Sequence, residues 1–213
     1  MIYRALVFDF DGTLADTLGE VRRIFNEIAP DYGLRQVAEH EVPALRQLSL
    51  SELINELDIP KHRVPSLLNR GTKMLRSSIT HIPPISGIRE ILTMLRPRVE
   101  KLGILTSNTD ENVSLFLKSH HLEGIFDFIS CKSKLSGKAK HLQAILTTFS
   151  LKAHEVLYIG DELRDVKACQ TVGIPVAAVT WGFNAREALA AAAPDYLFNQ
   201  PSDFEQLLDE PSA

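Results

Sequence analysis

One segment, Ala5-Leu-Val-Phe-Asp-Phe-Asp-Gly-Thr-Leu-Ala-Asp-Thr17, constrains what this chain can fold into more than any other. Ala5 to Phe8 is a short apolar run that ends near a glycine, which predicts a strand buried on both faces. Asp9 and Asp11 follow at its exit. Two residues apart on an extended backbone, their side chains share one side while Phe10 faces the other. Bare carboxylates beside a buried strand are costly unless they are paired or hold a cation. Two readings fit the residues. The Asp side chains could form an Asx turn around Gly12. Alternatively, the pair could face a hard cation and a phosphate, with Gly12 letting an anion approach the backbone amides.

The remaining chain predicts what surrounds that strand. Thr17 and Glu20 have the spacing of a capping box, and Leu18, Val21, Ile24, Phe25 and Ile28 continue at helical period. No strand pattern appears from there to about residue 80. Leu45, Leu48, Leu53, Ile54 and Leu57 suggest one or two helices, the second started by Ser49 or Ser51, and Val64 to Leu75 suggests another. Beyond the rigid connector Ile82-Pro-Pro-Ile-Ser-Gly87, strands and helices alternate. Strands are expected at 101–106, 125–130, 156–160, 175–180 and 196–198. Helices are expected at 88–95, from a cap at Asp110 to about 121, and at 136–149, 162–172, 185–192 and 204–208. Such alternation implies right-handed crossovers and a Rossmann-like α/β core, a parallel sheet covered by helices on both faces. The division expected is a core of residues 1–16 and 83–213, with a helical cap of residues 17–82 inserted after the first strand.

Composition narrows the function classes. The chain has 213 residues and a net charge of −4. That balance argues against nucleic acid as a main partner. No apolar run approaches the roughly 20 residues that span a bilayer, so no membrane partner is expected. Cys131 and Cys169 give neither a disulfide framework nor metal-ligand spacing. With no leader pattern at the start, a cytoplasmic protein is expected, either a monomer or a homodimer.

Each chemically suggestive group falls just after a predicted strand. Asp9 and Asp11 end the first, Thr106-Ser107-Asn108 the second, and Gly160-Asp161 a later one, with Asp165 one helical turn on. In parallel sheets ligands sit at the carboxyl ends of strands, so these groups should converge. Asp9, Asp11 and Asp161 offer oxygen to a hard cation, which favours Mg²⁺ over zinc. Thr106 and the Ser107 amide suit phosphate oxygens, although Thr-Ser-Asn also reads as a loop with a helix cap. Lys138 and Lys140 stand at a predicted helix start, where a cation is disfavoured unless an anion neutralises it. Gly137 beside Lys138 selects Lys138.

These motifs, Asp9-Phe-Asp-Gly-Thr-Leu-Ala-Asp-Thr17, Thr106-Ser-Asn108, Gly137-Lys138 and Gly160-Asp-Glu-Leu-Arg-Asp165, resemble in order the four motifs of the haloacid dehalogenase superfamily. Within it, the chain looks most like the phosphoglycolate phosphatase group, with Thr180-Trp-Gly-Phe183 resembling a loop of that group. The resemblance implies roles. Asp9 would be the nucleophile and a metal ligand. Asp11 would serve as acid and base and bind Mg²⁺ through its carbonyl, and Asp161 would complete the metal set. Thr106, Ser107 and Lys138 would hold the phosphoryl group, with Lys138 offsetting charge. Asp165 would orient a metal water or Lys138, with direct ligation left open. Thr13 and Asn108, inside the motifs, would support these groups from behind. Glu162 could add a metal contact or cap its helix. Arg46 could reach the substrate or lie on a solvated helix face.

The function expected is Mg²⁺-dependent hydrolysis of a small phosphorylated metabolite, of the phosphoglycolate or sugar-phosphate type, through an aspartyl-phosphate. A phosphomutase of the same superfamily, or a signalling protein that accepts phosphate without turnover, are the alternatives.

Overall fold

The computed structural model describes residues 3–131 and 137–208. The strands are β1 (Ala5–Phe8), β2 (Lys101–Leu105), β3 (Phe128–Ser130), β4 (Val156–Gly160), β5 (Val176–Val179) and β6 (Tyr196–Phe198). They form one parallel sheet in the order β3-β2-β1-β4-β5-β6. β1 therefore lies at the centre, paired with β2 on one side and β4 on the other. The chain fills one half of the sheet outward to β3, then returns to lay β4 against β1. That reversal opens a crevice beside β1, at the carboxyl ends of the strands.

The alternation within β1 builds two cores. Leu6 and Phe8 face a layer containing Ile88, Leu92, Phe116 and Phe204. Ala5 and Val7 face the opposite layer, with Leu142, Val166 and Leu189. The first layer is carried by α5 (Ile88–Leu95), α6 (Asp110–Ser119) and a terminal 3-10 segment, Pro201–Leu207. The second is carried by α7 (Lys138–Phe149), α8 (Leu163–Val172) and α9 (Arg186–Ala191). Each fully buried Phe or Leu contributes about 1.5–3 kcal/mol.

Between β1 and α5 the chain is helical among the described residues, with α1 (Leu18–Ile28), α2 (Val42–Leu45), α3 (Leu50–Glu56) and α4 (Val64–Ser78). Ile24 and Ile28 of α1 and Leu67 and Leu75 of α4 are buried. At the neck of this insertion the outgoing and returning strands of chain bond each other. Asp16 N donates to Pro83 O at 3.0 Å, and Ile85 N donates to Leu14 O at 2.9 Å.

Several local expectations are corrected. Thr17 does not cap α1 with its side chain; its Oγ1 instead accepts the Gly12 N–H at 3.1 Å and braces the turn after β1. Ser49 does form a capping box, with Glu52 at the start of α3. Thr109, not Asp110, caps α6, accepting from Asn112 N. The strand expected from residue 125 begins at Phe128, because the Asp127 carboxylate takes the ladder donor Leu102 N at 2.7 Å. The final turns are 3-10 and start at Pro201, where Asp203 accepts from Asn199 N at 2.6 Å. The helix start expected at Ser136 lies outside the described residues; within them α7 begins at Lys138.

Candidate active site

The site is built on the carboxyl ends of β1, β2 and β4. Asp9 leaves β1 still tied to the sheet, its N–H donating to Ile159 O at 2.8 Å. Its carboxylate accepts from Phe10 N at 2.7 Å and from Lys138 Nζ at 2.6 Å. Lys138 opens α7, and its ammonium also pairs with Asp165 on the first turn of α8. Asp9, Lys138 and Asp165 are all buried. Burial alone would strip the proton from Lys138, but the Asp165 and Asp9 charges outweigh it and hold the ammonium above its ordinary value. The Lys138 nitrogen also lies 5.1 Å from the centre of the Tyr158 ring, a cation–π distance.

Asp161 ends β4 and is wholly buried. Thr13 Oγ1 donates to its Oδ1 and Phe183 N to its Oδ2, each at 2.7 Å. Its pKa is pushed well up by burial first, then by the charges of Glu162, Asp9 and Asp165. Asp165 is raised to about 6, again by burial first, with Lys138 opposing. Gly12 is required here. It has φ +73°, and a Cβ would run into the Asp161 carboxylate and the Phe183 ring.

Asp9, Asp161 and Asp165 each present a carboxylate oxygen within 4.8 Å of the others. That spread is close to the span of two oxygens about one small cation, roughly twice 2.1 Å. The donors are all oxygen, and with one ammonium against three carboxylates the ionised cluster lacks two positive charges. The residues therefore fit a hard divalent cation. The Asp11 side chain stands apart from this group.

Asp11 instead turns toward β2. Asn108 Nδ2 donates to both of its oxygens, at 2.9 and 3.1 Å. Burial, followed by the Asp9 charge, pushes Asp11 up to about 7, against the hydrogen bonds from Asn108 and Thr17. Near neutrality this carboxyl can therefore both give and take a proton. Asn108 is itself held by Asn112 Nδ2 at 2.9 Å. The buried Thr106 hydroxyl accepts from Asn108 N at 3.0 Å, and Ser107 is exposed beside it. Among the described residues no acceptor is recorded for the Ser107 N–H, which leaves it available to an anion.

Some residues have uses the sequence did not suggest. Glu162 lies outside the acidic group and pairs with Arg164, whose guanidinium also reaches Ser107 Oγ at 3.4 Å. Arg46 is half-buried and lines a cavity rather than lying on a solvated helix face. Its guanidinium donates to Thr180 O at 2.8 Å. Asn184 Nδ2 returns the contact, donating to Arg46 O at 3.0 Å and Leu48 O at 2.8 Å, while its Oδ1 accepts from Leu163 N at 2.9 Å. Asn184 thus joins the helical insertion to the start of α8. Its only sequence signal was its place directly after Thr180-Trp-Gly-Phe183. A second tie runs from Asn112 Nδ2 to Thr72 O on α4 at 3.1 Å. A cavity of about 360 Å³ lies between the insertion and the site, with Asp11, Ser107 and Asn108 in its wall.

Known proteins are similar to this chain in sequence and fold. The model of the haloacid dehalogenase-like hydrolase family matches residues 6–179. A phosphoglycolate phosphatase of Synechococcus elongatus is 35% identical over 207 residues, covering 97% of this chain and 98% of its own length. A pyrophosphatase PpaX of Bacillus pumilus is 26% identical, with 93% of each chain covered. Among solved structures, a haloacid dehalogenase-like hydrolase from Streptococcus pneumoniae superposes with a TM-score of 0.82 at 21% identity, over 97% of this chain and 99% of its own. With the family model spanning most of the sheet and its site, and a relative similar along nearly the full length, this chain belongs to the haloacid dehalogenase-like hydrolases.

Proposed function

We propose that the chain is a Mg²⁺-dependent phosphatase that hydrolyses a small phosphate monoester through an aspartyl-phosphate on Asp9. The observation that carries this reading is the meeting of Asp9, Asp161 and Asp165 with the buried Lys138 ammonium. A divalent cation held by Asp9, the Asp11 carbonyl and Asp161 would neutralise charge on the phosphoryl oxygens. Asp9 attacks phosphorus; its oxygen–phosphorus bond forms as the ester bond breaks, and Asp11 hands its proton to the leaving alcohol. A water then attacks the aspartyl-phosphate. Asp11 takes that water's proton, and the Asp9 carboxylate is released with inorganic phosphate. Thr106 and the Ser107 N–H orient the phosphoryl oxygens, and Lys138 offsets negative charge through both steps. Asp165 holds Lys138 in place.

The inserted helices act as a cap that shields the transfer from bulk water. A phosphatase and a phosphomutase would share this machinery; the mutase would return an isomer with no free phosphate. The test is a phosphate-release screen over phosphorylated metabolites, beginning with 2-phosphoglycolate and inorganic pyrophosphate, with and without Mg²⁺. Release that needs Mg²⁺ supports the proposal, and isomerisation without release replaces it with the mutase.

A further inference from the structure

One buried polar side chain has no part in the chemistry described so far. Asn112 lies on the first turn of α6, on the face that also buries Val113, Phe116 and Leu117. It is wholly shielded from water. A polar group in such a place is costly unless its atoms are paired. The pairing here is one-sided. Asn112 Nδ2 donates to Asn108 Oδ1 at 2.9 Å and to Thr72 O of α4 at 3.1 Å. Its Oδ1 is buried with no partner among the described residues. Two acceptors thus fix which end of the Asn112 amide faces Asn108, and the other end is left unpaired.

That choice passes on to Asn108. Its Oδ1 accepts from Asn112 Nδ2 and also from Thr109 N, the latter at 2.8 Å. With the oxygen committed to two donors, the Asn108 NH₂ group faces Asp11 and donates to both carboxylate oxygens. A flipped Asn108 amide would set its oxygen against the Asp11 carboxylate and its NH₂ against two donors. Without the Asn112 amide, the Thr109 N–H alone would oppose that flip. Asn112 has no recorded bond to Asp11, so its effect on the carboxyl runs through Asn108. Proton transfer to a leaving oxygen needs the acid within hydrogen-bond reach. A misplacement of about 1 Å can lower a rate about 100-fold.

We propose that Asn112 is a positioning residue for the acid step: through Asn108 it aims the Asp11 carboxyl at the oxygen of the departing alcohol. This rests on the phosphatase reading and adds a residue to it. The test is a series of para-substituted phenyl phosphates, from the methoxy to the nitro ester, read as kcat/KM with Mg²⁺. These esters are nearly alike in size and differ in how much the leaving oxygen needs a proton. Because kcat/KM extends only to the first irreversible step, it reports the acid role and not the later attack of water. In Asn112→Leu, kcat/KM should fall about 10- to 100-fold for the methoxy ester and less than about 3-fold for the nitro ester, which steepens the dependence on the leaving group. Asn112→Ala should steepen it too. Both replacements favour helix, and the backbone N–H at this position keeps its bond to Thr109 Oγ1. A thermal melt of each variant reports folding. An equal fall across the series in a folded variant, or no fall, overturns this proposal and leaves the phosphatase reading standing. Loss of folding in both variants overturns it as well, making Asn112 a structural residue only. No phosphate released from any ester by the unaltered protein removes the phosphatase reading, and this proposal with it.

Discussion

Lys138 shows how little a single side chain does by itself in this site. It is a cation at the start of a helix, where the backbone dipole opposes it, and it is buried, where desolvation opposes it. Two carboxylates on other elements reverse both penalties, and the ammonium is fixed between Asp9 and Asp165. Replacing Lys138 by Met would leave those carboxylates unneutralised. Phosphate release should fall at least about 100-fold, checked by kcat on any accepted ester. Asp9→Asn keeps the shape of the site and removes the nucleophile; turnover should drop by about three orders of magnitude or more. Gly12→Ala crowds Asp161 at a backbone angle that alanine adopts poorly. It should weaken Mg²⁺ binding by calorimetry more than it lowers the melting temperature of the metal-free protein.

At the scale of elements, the informative contact is the one between the insertion and α8. Asn184 is buried and uses both ends of its amide, two donations to the insertion and one acceptance from Leu163 N. Asn184→Ala would leave two backbone groups, Leu48 O and Leu163 N, without partners, at about 1–3 kcal/mol for each that water cannot reach, while Arg46 O keeps its bond from Ala185 N. The melting temperature should fall by more than about 5 °C, with KM affected through a loosened cap.

None of that contact was legible in the chain. Asn184 and Arg46 are 138 residues apart, and nothing in either neighbourhood names the other. The sheet was legible, because β1, β2, β4 and β5 are apolar runs bounded by turn residues and separated by helical periods. The placement of Asp9, Thr106 and Asp161 followed from the sheet alone, since each ends a parallel strand. Asp127 and Thr109 were misread or overlooked because a side chain competing for one backbone bond leaves no periodic trace. The engagement of Arg46 and Arg164 was hidden for a similar reason: whether a surface-type cation is free depends on carbonyls and carboxylates brought in by other elements.

At the scale of the molecule, the sheet order places the acidic cluster beside its central strand, and the insertion is tied to the core through Asn184 and Thr72. Burying several carboxylates has a cost the whole protein feels. Asp11 and Asp165 are raised to about 7 and about 6, so the folded state binds more protons than the unfolded one from about pH 4 to about pH 7. Metal-free stability is therefore greatest on the acid side and declines as pH rises through that window. The melting temperature should be at least about 4 °C lower at pH 8 than at pH 5.5, by calorimetry without divalent ions. Mg²⁺ selects the deprotonated carboxylates, so its stabilising effect should be larger at pH 8.

The central claim is that Asp9 carries the phosphoryl group between substrate and water. Steady-state turnover quenched in acid, followed by mass spectrometry of the peptides, tests it most directly. A phosphoryl adduct on the peptide containing Asp9, lost in Asp9→Asn together with turnover, is the result predicted. Turnover that persists in Asp9→Asn, or an adduct found on another residue, would contradict the account.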